Sequence, residues 1–390
     1  AMGYYRKEGG YVDNVANNGK FADGSPAILN LGDENPLTSF TLNNASKTKN
    51  NYNSIDEVGG RLSLLWEPVE GWSINPQITA QKQISLGYFG FDPRVGDLQV
   101  HDYDAARQND QWYQAQATIH GHIGDFDVVS ATGYFRRNIK LLNDYTYYTV
   151  AYDSFGPGYE SYLQFFDKAG CTGSGASLRC STLLNPQQYY SGNRNERIFT
   201  QELRMKTPES WPFDVTFGGF YQYQKNEIND DYATRGLGNV AGYTESGGGD
   251  RADFATSFGV PDTRGGSMIL GTPAVKNDAF YITEQNRVTR DYAVFAEGHY
   301  NITPALKITG GIRYFWTELN VVGFAGVAAS ARNVRSTVAA TGKAGGCPTP
   351  LSATERLTCL NTNFSRPDHQ LIYREQGETH KIALDWQVAP

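Results

Sequence analysis

The chain has few of the features that mark soluble enzymes or helical membrane proteins. Only four of its 390 residues are cysteine and three are methionine. No apolar run approaches the roughly 20 residues that a membrane helix needs. The best candidate, residues 321–331, is short and rich in glycine and alanine. This excludes a helical membrane protein, but not a membrane β-barrel, whose alternating strands keep mean hydropathy low.

Basic charge and catalytic motifs are also scarce. Against 41 Asp and Glu there are 34 Lys and Arg, which gives a net charge of −7. Nucleic acid is therefore not an expected partner, because phosphate binding needs a basic face. No nucleophile elbow, zinc-protease motif or P-loop occurs. The run at 236–241 has the spacing of a dinucleotide fingerprint but lacks a strand–helix–strand pattern around it. We expect neither an enzyme nor a bound cofactor.

The sequence is rich in aromatic residues and glycine, with Tyr 25, Phe 20, Trp 6 and Gly 42. Aromatic residues favour strands, whereas glycine disfavours helices. In residues 306–317 the large apolar side chains, with the exception of Phe315, fall on alternate positions, opposite Lys307, Thr309 and Arg313. Such alternation predicts a strand with one apolar and one polar face. The same pattern, strong or weak, recurs at 62–66, 72–80, 113–123, 129–137, 199–205, 213–223, 292–300 and 382–388. We therefore predict about ten strands.

The connections between these strands alternate between short and long. The short turns are 68–71, 124–126, 208–212 and 303–305, and the long loops are roughly 9–54, 87–110, 150–194, 226–288 and 323–378. Several loops longer than about 15 residues are unusual in a compact soluble domain. Tyr292 and Tyr300 stand about 20 Å apart along a membrane normal, as members of two aromatic girdles would. The pattern predicts an all-β fold, part of a large transmembrane antiparallel β-barrel with short periplasmic turns and long extracellular loops.

Four segments resemble those of TonB-dependent outer-membrane receptors. They are GYYRKEGGYVDN at 3–14, FTQELR at 199–204, DYAVFAE at 291–297 and LKITGGIRY at 306–314. The resemblance covers nearly all predicted strands and little of the loops. It implies a barrel of about 22 strands, an N-terminal plug inside it, and active uptake driven by an energy-coupling protein of the inner membrane.

The chain departs from that pattern because the plug, the coupling peptide and the C-terminal half of the barrel are missing. A piece of about ten strands would leave two open edges in lipid, which a bilayer does not tolerate. We therefore expect residues 1–390 to be an internal part of one barrel domain, with no plug domain.

Candidate ligand-binding residues lie in and below the third long loop. Tyr145, Tyr147, Tyr148 and Tyr159 would offer aromatic faces to a flat or ring-shaped ligand in an outer vestibule. In the alternative interpretation, these rings pack the loops on each other. Arg136 is predicted to point inward, together with Arg61, Arg204 and Arg313. Such charges would dock the plug or guide an anionic iron chelate.

The cysteines form two local pairs, Cys171 with Cys180 and Cys347 with Cys359, in loop-like surroundings. The C-x-x-C spacing of a zinc site is absent. Disulfides of an oxidising compartment are the preferred interpretation, and free thiols are the alternative. His120 and His122 on one strand face, and Asp102, Asp104 and Asp110 in a loop, have the donor atoms for a metal. Lumen-facing side chains and a solvated loop are the preferred interpretation, so we expect no metal site.

Taken with the resemblance, these features predict an active transporter in the bacterial outer membrane. The expected cargo is a large scarce nutrient, most often a ferric siderophore. The expected partners are outer-membrane lipid and lipopolysaccharide, the TonB energy-coupling protein through the missing N-terminal region, and the small ligand. The alternatives are a passive porin-like channel and a soluble carbohydrate-binding β protein whose apolar faces would lie against a second sheet.

Overall fold

A computed structural model describes residues 1–25, 27, 30–31, 40–148, 171–172, 179–180, 187–208, 210–234, 279–327, 362–363 and 371–387. These residues are mainly antiparallel β-structure, which confirms the predicted fold class. The strands are β1 (Met2–Glu8), β2 (Asp13–Asn14), β3 (Asn30–Leu31), β4 (Phe40–Thr41), β5 (Ser54–Ser63), β6 (Trp66–Val69), β7 (Trp72–Leu86), β8 (Gln99–Val100), β9 (Arg107–Ile123), β10 (Phe126–Asp144), β11 (Cys171–Thr172), β12 (Arg179–Cys180), β13 (Gln188–Lys206), β14 (Asp214–Thr234), β15 (Ala279–Thr303), β16 (Leu306–Val327), β17 (Thr362–Asn363) and β18 (Leu371–Trp386). One turn of 3-10 helix spans Ala45–Lys47.

Most of the described residues belong to a 12-stranded sheet whose long strands pair in the order in which they follow one another. The order is β1-β5-β7-β9-β10-β13-β14-β15-β16-β17, with β6 beside β7 and β18 beside β16. Every pairing in this sheet is antiparallel. Gly71 and Gly124 take the positive φ angles, 79° and 59°, that tight turns require. Short turns thus occupy one rim, called here the turn rim, and the long connections leave from the opposite loop rim, as predicted.

The strands are longer than the sequence pattern predicts. β14 continues to Thr234 and β15 begins at Ala279, whereas the pattern places residues 226–288 in a loop. β15 is 25 residues long, more than twice the roughly 10 residues that a tilted strand needs to cross a bilayer. The extra residues lie at the loop rim and include polar and apolar residues on both faces, so they lack the regular alternation that reveals a half-buried strand.

The register of the sheet defines two faces. Tyr292, Val294 and Tyr300 lie on one of them, called here the apolar face, where Tyr292 pairs with Tyr221 and Trp316. The large side chains of this face are exposed, for example Val294 at 51% and Ile312 at 48%. The exposed band continues across the neighbouring strands with Leu62, Ile78, Leu203 and Phe217. A continuous exposed apolar surface of this kind marks an interaction surface.

Two rows of aromatic rings border this band. The row nearer the loop rim contains Tyr113, Tyr134, Phe199, Tyr221, Tyr292, Tyr314 and Trp316. Within it, ring centroids lie 6.0 Å apart for Tyr113–Tyr134 and 5.0 Å apart for Tyr221–Tyr292. The row at the turn rim contains Trp72, Phe126, Trp211, Phe213, Tyr300 and Trp386. There Trp211 lies 5.6 Å from Phe126 and 5.3 Å from Phe213.

The opposite face, called here the polar face, carries mostly amides, hydroxyls and ion pairs. Thr317 Oγ1 donates to Asp291 Oδ1 at 2.6 Å, and Gln224 Nε2 donates to Glu196 Oε1 at 2.8 Å. Lys381 Nζ lies 2.9 Å from Glu297 Oε2. Arg61, Arg204 and Arg313 also lie on this face by register. The sheet therefore has the predicted division into one apolar and one polar wall.

Candidate functional site

The loop rim carries a compact loop cluster formed by the β1–β5 and β7–β9 connections. β2 pairs in parallel with β8, with Asp13 opposite Gln99. Val12, Tyr52 and Val100 pack into a small buried core, with Tyr88 against it. The sequence pattern gave no indication of this unit, because two-residue strands and isolated apolar side chains carry no periodic signal.

Buried asparagines tie the loop cluster together. Asn14 accepts from the Asp102 amide at 2.8 Å and donates Nδ2 to the Asp102 carbonyl at 2.9 Å. Asn53 Oδ1 accepts from the amides of Tyr11 at 2.8 Å and Val12 at 2.7 Å. Buried backbone groups need hydrogen-bond partners. In these loops, asparagine side chains provide the partners that a neighbouring strand would provide in a sheet.

Two carboxyl groups are buried where the loop cluster meets the end of β10. Asp102 is 5% exposed and its Oδ2 accepts from Tyr52 Oη at 2.5 Å. Burial raises the pKa of Asp102 to about 7. Asp144 accepts from the Tyr103 amide at 2.5 Å and from the Thr146 amide at 2.8 Å. Burial also raises the pKa of Asp144, and its charge raises that of Asp102 further.

The described tyrosines of the predicted vestibule lie beside this cluster. The Tyr145 ring lies 4.8 Å from that of Tyr148 and 4.7 Å from that of Tyr232 on β14. Tyr190 on β13 lies 4.7 Å from Tyr232. Tyr145 and Tyr148 therefore pack on other rings, the arrangement that the alternative interpretation expects.

Tyr147 differs from its neighbours because its ring is 40% exposed while touching Tyr103 edge-on at 6.3 Å. It is the described vestibule tyrosine with the most surface open to a ligand. Tyr159 lies outside the described residues. The ligand-binding role of the four vestibule tyrosines remains a prediction.

The predicted inward orientation of Arg136 is wrong. Arg136 pairs with Tyr113 on β9 and Arg197 on β13, and these positions belong to the apolar face. Its neighbour Arg137 lies on the polar face, where it forms a salt bridge with Asp110. The error arose because β10 alternates weakly, and a shift of one residue moves a side chain to the other face.

Candidate metal ligands are not brought together. His120 and His122 share the polar face as predicted, but His122 Nδ1 lies 2.7 Å from Asp127. Asp102 bonds Tyr52, whereas Asp110 bonds Arg137. Among the described residues, no group of three or more His, Cys, Asp or Glu has the arrangement of a metal site.

No described helix has the length and apolar character to cross a membrane.

One of the two cysteine pairs lies among the described residues. β11 and β12 place Cys171 directly opposite Cys180. Directly paired antiparallel residues have Cα atoms about 4.5–5.5 Å apart, within the range that a disulfide spans. Cys347 and Cys359 lie outside the described residues, so both disulfides remain predictions.

Comparison with known proteins gives partial structural matches. No family model and no curated protein matches the sequence. The ferric yersiniabactin uptake receptor FyuA from Yersinia pestis is 9% identical with a TM-score of 0.43, over 91% of this chain and 36% of the receptor. The ferric citrate transporter FecA, in its unliganded form, is 11% identical with a TM-score of 0.42, over 70% and 32%.

The ferric-catecholate import receptor Fiu from E. coli K12, in a closed form, is 10% identical with a TM-score of 0.42. That match covers 86% of this chain and 42% of Fiu. The chain therefore spans less than half the length of each of these three proteins.

Proposed function

We propose that this chain is part of the wall of an outer-membrane transporter of the TonB-dependent receptor class, rather than an enzyme. The observation that carries the proposal is the exposed apolar band between two aromatic rows. Apolar residues facing lipid and aromatic girdles at both interfaces are what a bilayer requires of a barrel wall. In this arrangement the polar face lines the lumen and the turn rim faces the periplasm.

The exposure of the apolar band speaks against the soluble carbohydrate-binding alternative. A soluble sandwich buries such a face against a second sheet. Here Val294, Ile312 and Trp316 are each at least 40% exposed. The open edges at β1 and β18 would be closed by further strands of a longer polypeptide, because lipid offers no partner for free backbone groups.

We further propose that the cargo is a large scarce nutrient, with a ferric siderophore as the first candidate. The loop cluster and the tyrosines beside it support a ligand-selective entrance, since aromatic rings suit flat or ring-shaped ligands. Energy would come from the TonB energy-coupling protein through the N-terminal region that the resemblance implies for the full-length protein, and not through residues 1–390. A passive porin-like channel shares the wall but needs no such coupling.

The test is uptake by cells that carry the full-length receptor as their only route for the cargo. Accumulation of labelled ferric siderophores, cobalamin, haem and oligosaccharides is measured with and without the coupling protein. Uptake of one ligand that disappears with the coupling protein supports the proposal. Uptake that persists without it would establish the passive channel, and no uptake of any ligand would refute the import function.

A further inference from the structure

One buried carboxyl group joins two of the connections at the loop rim. Asp144 is the last residue of β10 and is buried. Its Oδ2 accepts from the Tyr103 amide at 2.5 Å, and its Oδ1 accepts from the Thr146 amide at 2.8 Å. Tyr103 belongs to the β7–β9 connection, whereas Thr146 follows β10. The two oxygens of one side chain therefore hold backbone donors of two separate loops.

Residues 145–148, called here the tyrosine turn, are anchored to the sheet on one side. The Tyr145 amide donates to the carbonyl of Gln188 on β13 at 2.9 Å, and the Tyr148 amide donates to the Tyr145 carbonyl at 3.0 Å. The side chain of Thr146 is fully buried. The turn is thus fixed to β13, and Asp144 connects it to the loop cluster on its other side.

The same contacts fix the exposed ring of the turn. Tyr147 packs edge-on against Tyr103, which is buried. Tyr103 Oη accepts from Asn17 Nδ2 at 2.6 Å within the loop cluster. Tyr88 Oη, also of the loop cluster, donates to the Asp144 carbonyl at 2.9 Å. The position of the Tyr147 ring therefore depends on Tyr103, and the position of Tyr103 depends on Asp144.

The chemistry of these bonds gives Asp144 a large influence on both loops. Bonds from amides to a carboxylate are charge-assisted and stronger than bonds between neutral groups. A buried amide that loses its acceptor keeps the full cost of its desolvation. Loss of the Asp144 carboxyl group would leave donors unpaired in both loops at once, so the order of each loop bears on the order of the other.

We infer that Asp144 is a positioning residue that couples the loop cluster to the tyrosine turn. The two lose and regain their order together, and the Tyr147 ring is held in a single position. The consequence for ligand recognition rests on the proposed function, in which Tyr147 lies at the entrance for the cargo. The coupling itself needs no cargo and is measured without one.

The coupling is tested by a double-mutant cycle that is read out by hydrogen exchange of backbone amides in the full-length protein. The first change, Asn53→Ala, loosens the loop cluster without touching Asp144, because it removes the acceptor of the Tyr11 and Val12 amides. Its matched control is Asn18→Ala, at an exposed position of the same connection. The second change, Asp144→Asn, keeps the size of the side chain but only one acceptor oxygen, so it can no longer serve both loops.

In the protein that retains Asp144, Asn53→Ala should speed exchange at the Tyr145 and Tyr148 amides at least about tenfold, the effect expected of a buried donor without its acceptor. Asn18→Ala should leave those rates unchanged. In the Asp144→Asn background the two amides should exchange faster from the start, and Asn53→Ala should change their rates by less than about twofold. Exchange of the β10 amides shows that each variant keeps the sheet.

A fluorinated tyrosine at position 147 reports the position of the ring itself. Its fluorine resonance should be single and narrow in the protein with Asp144, and split or broadened in Asp144→Asn. A residue that only stabilised the loops would change the exchange rates and leave this resonance single.

Three results would overturn the inference. If Asn53→Ala speeds exchange in the loop cluster but not in the tyrosine turn, the two are independent. If it speeds exchange in the turn equally in both backgrounds, another contact carries the coupling. If the Tyr147 resonance stays single in Asp144→Asn, the carboxyl group does not position the ring.

These outcomes are separate from those of the uptake test, because no cargo is present. Failure of uptake would remove the proposed function and leave the coupling intact. Failure of the cycle would remove only the role of Asp144.

Discussion

Replacing the buried Asp102 by asparagine should remove a pH dependence from the loop cluster. The carboxyl holds its proton up to about pH 7, against an ordinary value of 3.8. Because the folded cluster binds this proton more tightly than the open loop does, the cluster is most stable below about pH 4. Its stability falls as the pH rises from about 4 to about 7 and is level above that. The full difference corresponds to about 4 kcal/mol.

Asp102→Asn keeps an oxygen that accepts from Tyr52 Oη and removes the charge. Hydrogen exchange of backbone amides in 10–19, 42–53 and 98–106, corrected for intrinsic rates, reports the opening of the loop cluster. At pH 8 the variant should exchange at least ten times more slowly than the unmodified protein, and at pH 4 the two should agree. Burial lowers the pKa of His101, so that group contributes with the opposite sign in both proteins and cancels in the comparison.

The control for this prediction is Asp97→Asn, an exposed carboxylate of the same loop. It should follow the unmodified protein at every pH. If Asp102→Asn shows the same slope as the control, the buried carboxyl is not the group that titrates. If it opens the loops at pH 4 as well, the asparagine has failed to replace the bond to Tyr52, and the reasoning from charge is refuted.

Three other predictions concern the cysteines, the vestibule tyrosines and the apolar face of the sheet. Cys171–Cys180 and Cys347–Cys359 should resist thiol reagents until reduced, each bridge contributing about 3 kcal/mol of local stability; labelling without reduction contradicts this. Substituting Tyr147, Tyr148 and Tyr159 together by alanine should lower ligand affinity by about one to two decades, since each contacting ring is worth about 0.5–1.5 kcal/mol. Unchanged binding would favour a packing role for the rings. Ile312→Lys should cost about 2–4 kcal/mol in unfolding from lipid if it lies at the midplane, and Gln114→Lys on the polar face serves as its control; equal costs would refute the assignment of the two faces.

The strand segments within the apolar band were predictable from the sequence. One of their faces is apolar and the other is polar, and this difference gives the residues a period of two. Residues 306–317 and 292–300 alternate with few exceptions, such as Phe315 and Phe295, and their register follows the pattern. Beyond the aromatic row both faces mix polar and apolar residues, so the same strands continue to Thr234 and start again at Ala279 without a periodic signal. The period therefore identifies the part of a strand within the band and not the whole strand.

Side-chain placement in the candidate site was less predictable for two physical reasons. Arg136 was assigned to the wrong face because β10 mixes apolar and polar residues on both sides, so no local pattern fixes its register. The buried Asp102 was interpreted as part of a solvated loop because its burial depends on Tyr52 and Asn14, which are 50 and 88 residues away in sequence. Contacts of that range leave no trace in local composition.

The most direct test of the central claim is the environment of the two sheet faces in a bilayer. Spin labels are placed singly at Val215 and Ile312 on the apolar face and at Thr216 and Arg313 on the polar face of the full-length protein. We predict that lipid-soluble oxygen relaxes the labels at Val215 and Ile312 but not those at Thr216 and Arg313. The reverse pattern, or equal relaxation at all four sites, would contradict a wall whose apolar face meets lipid.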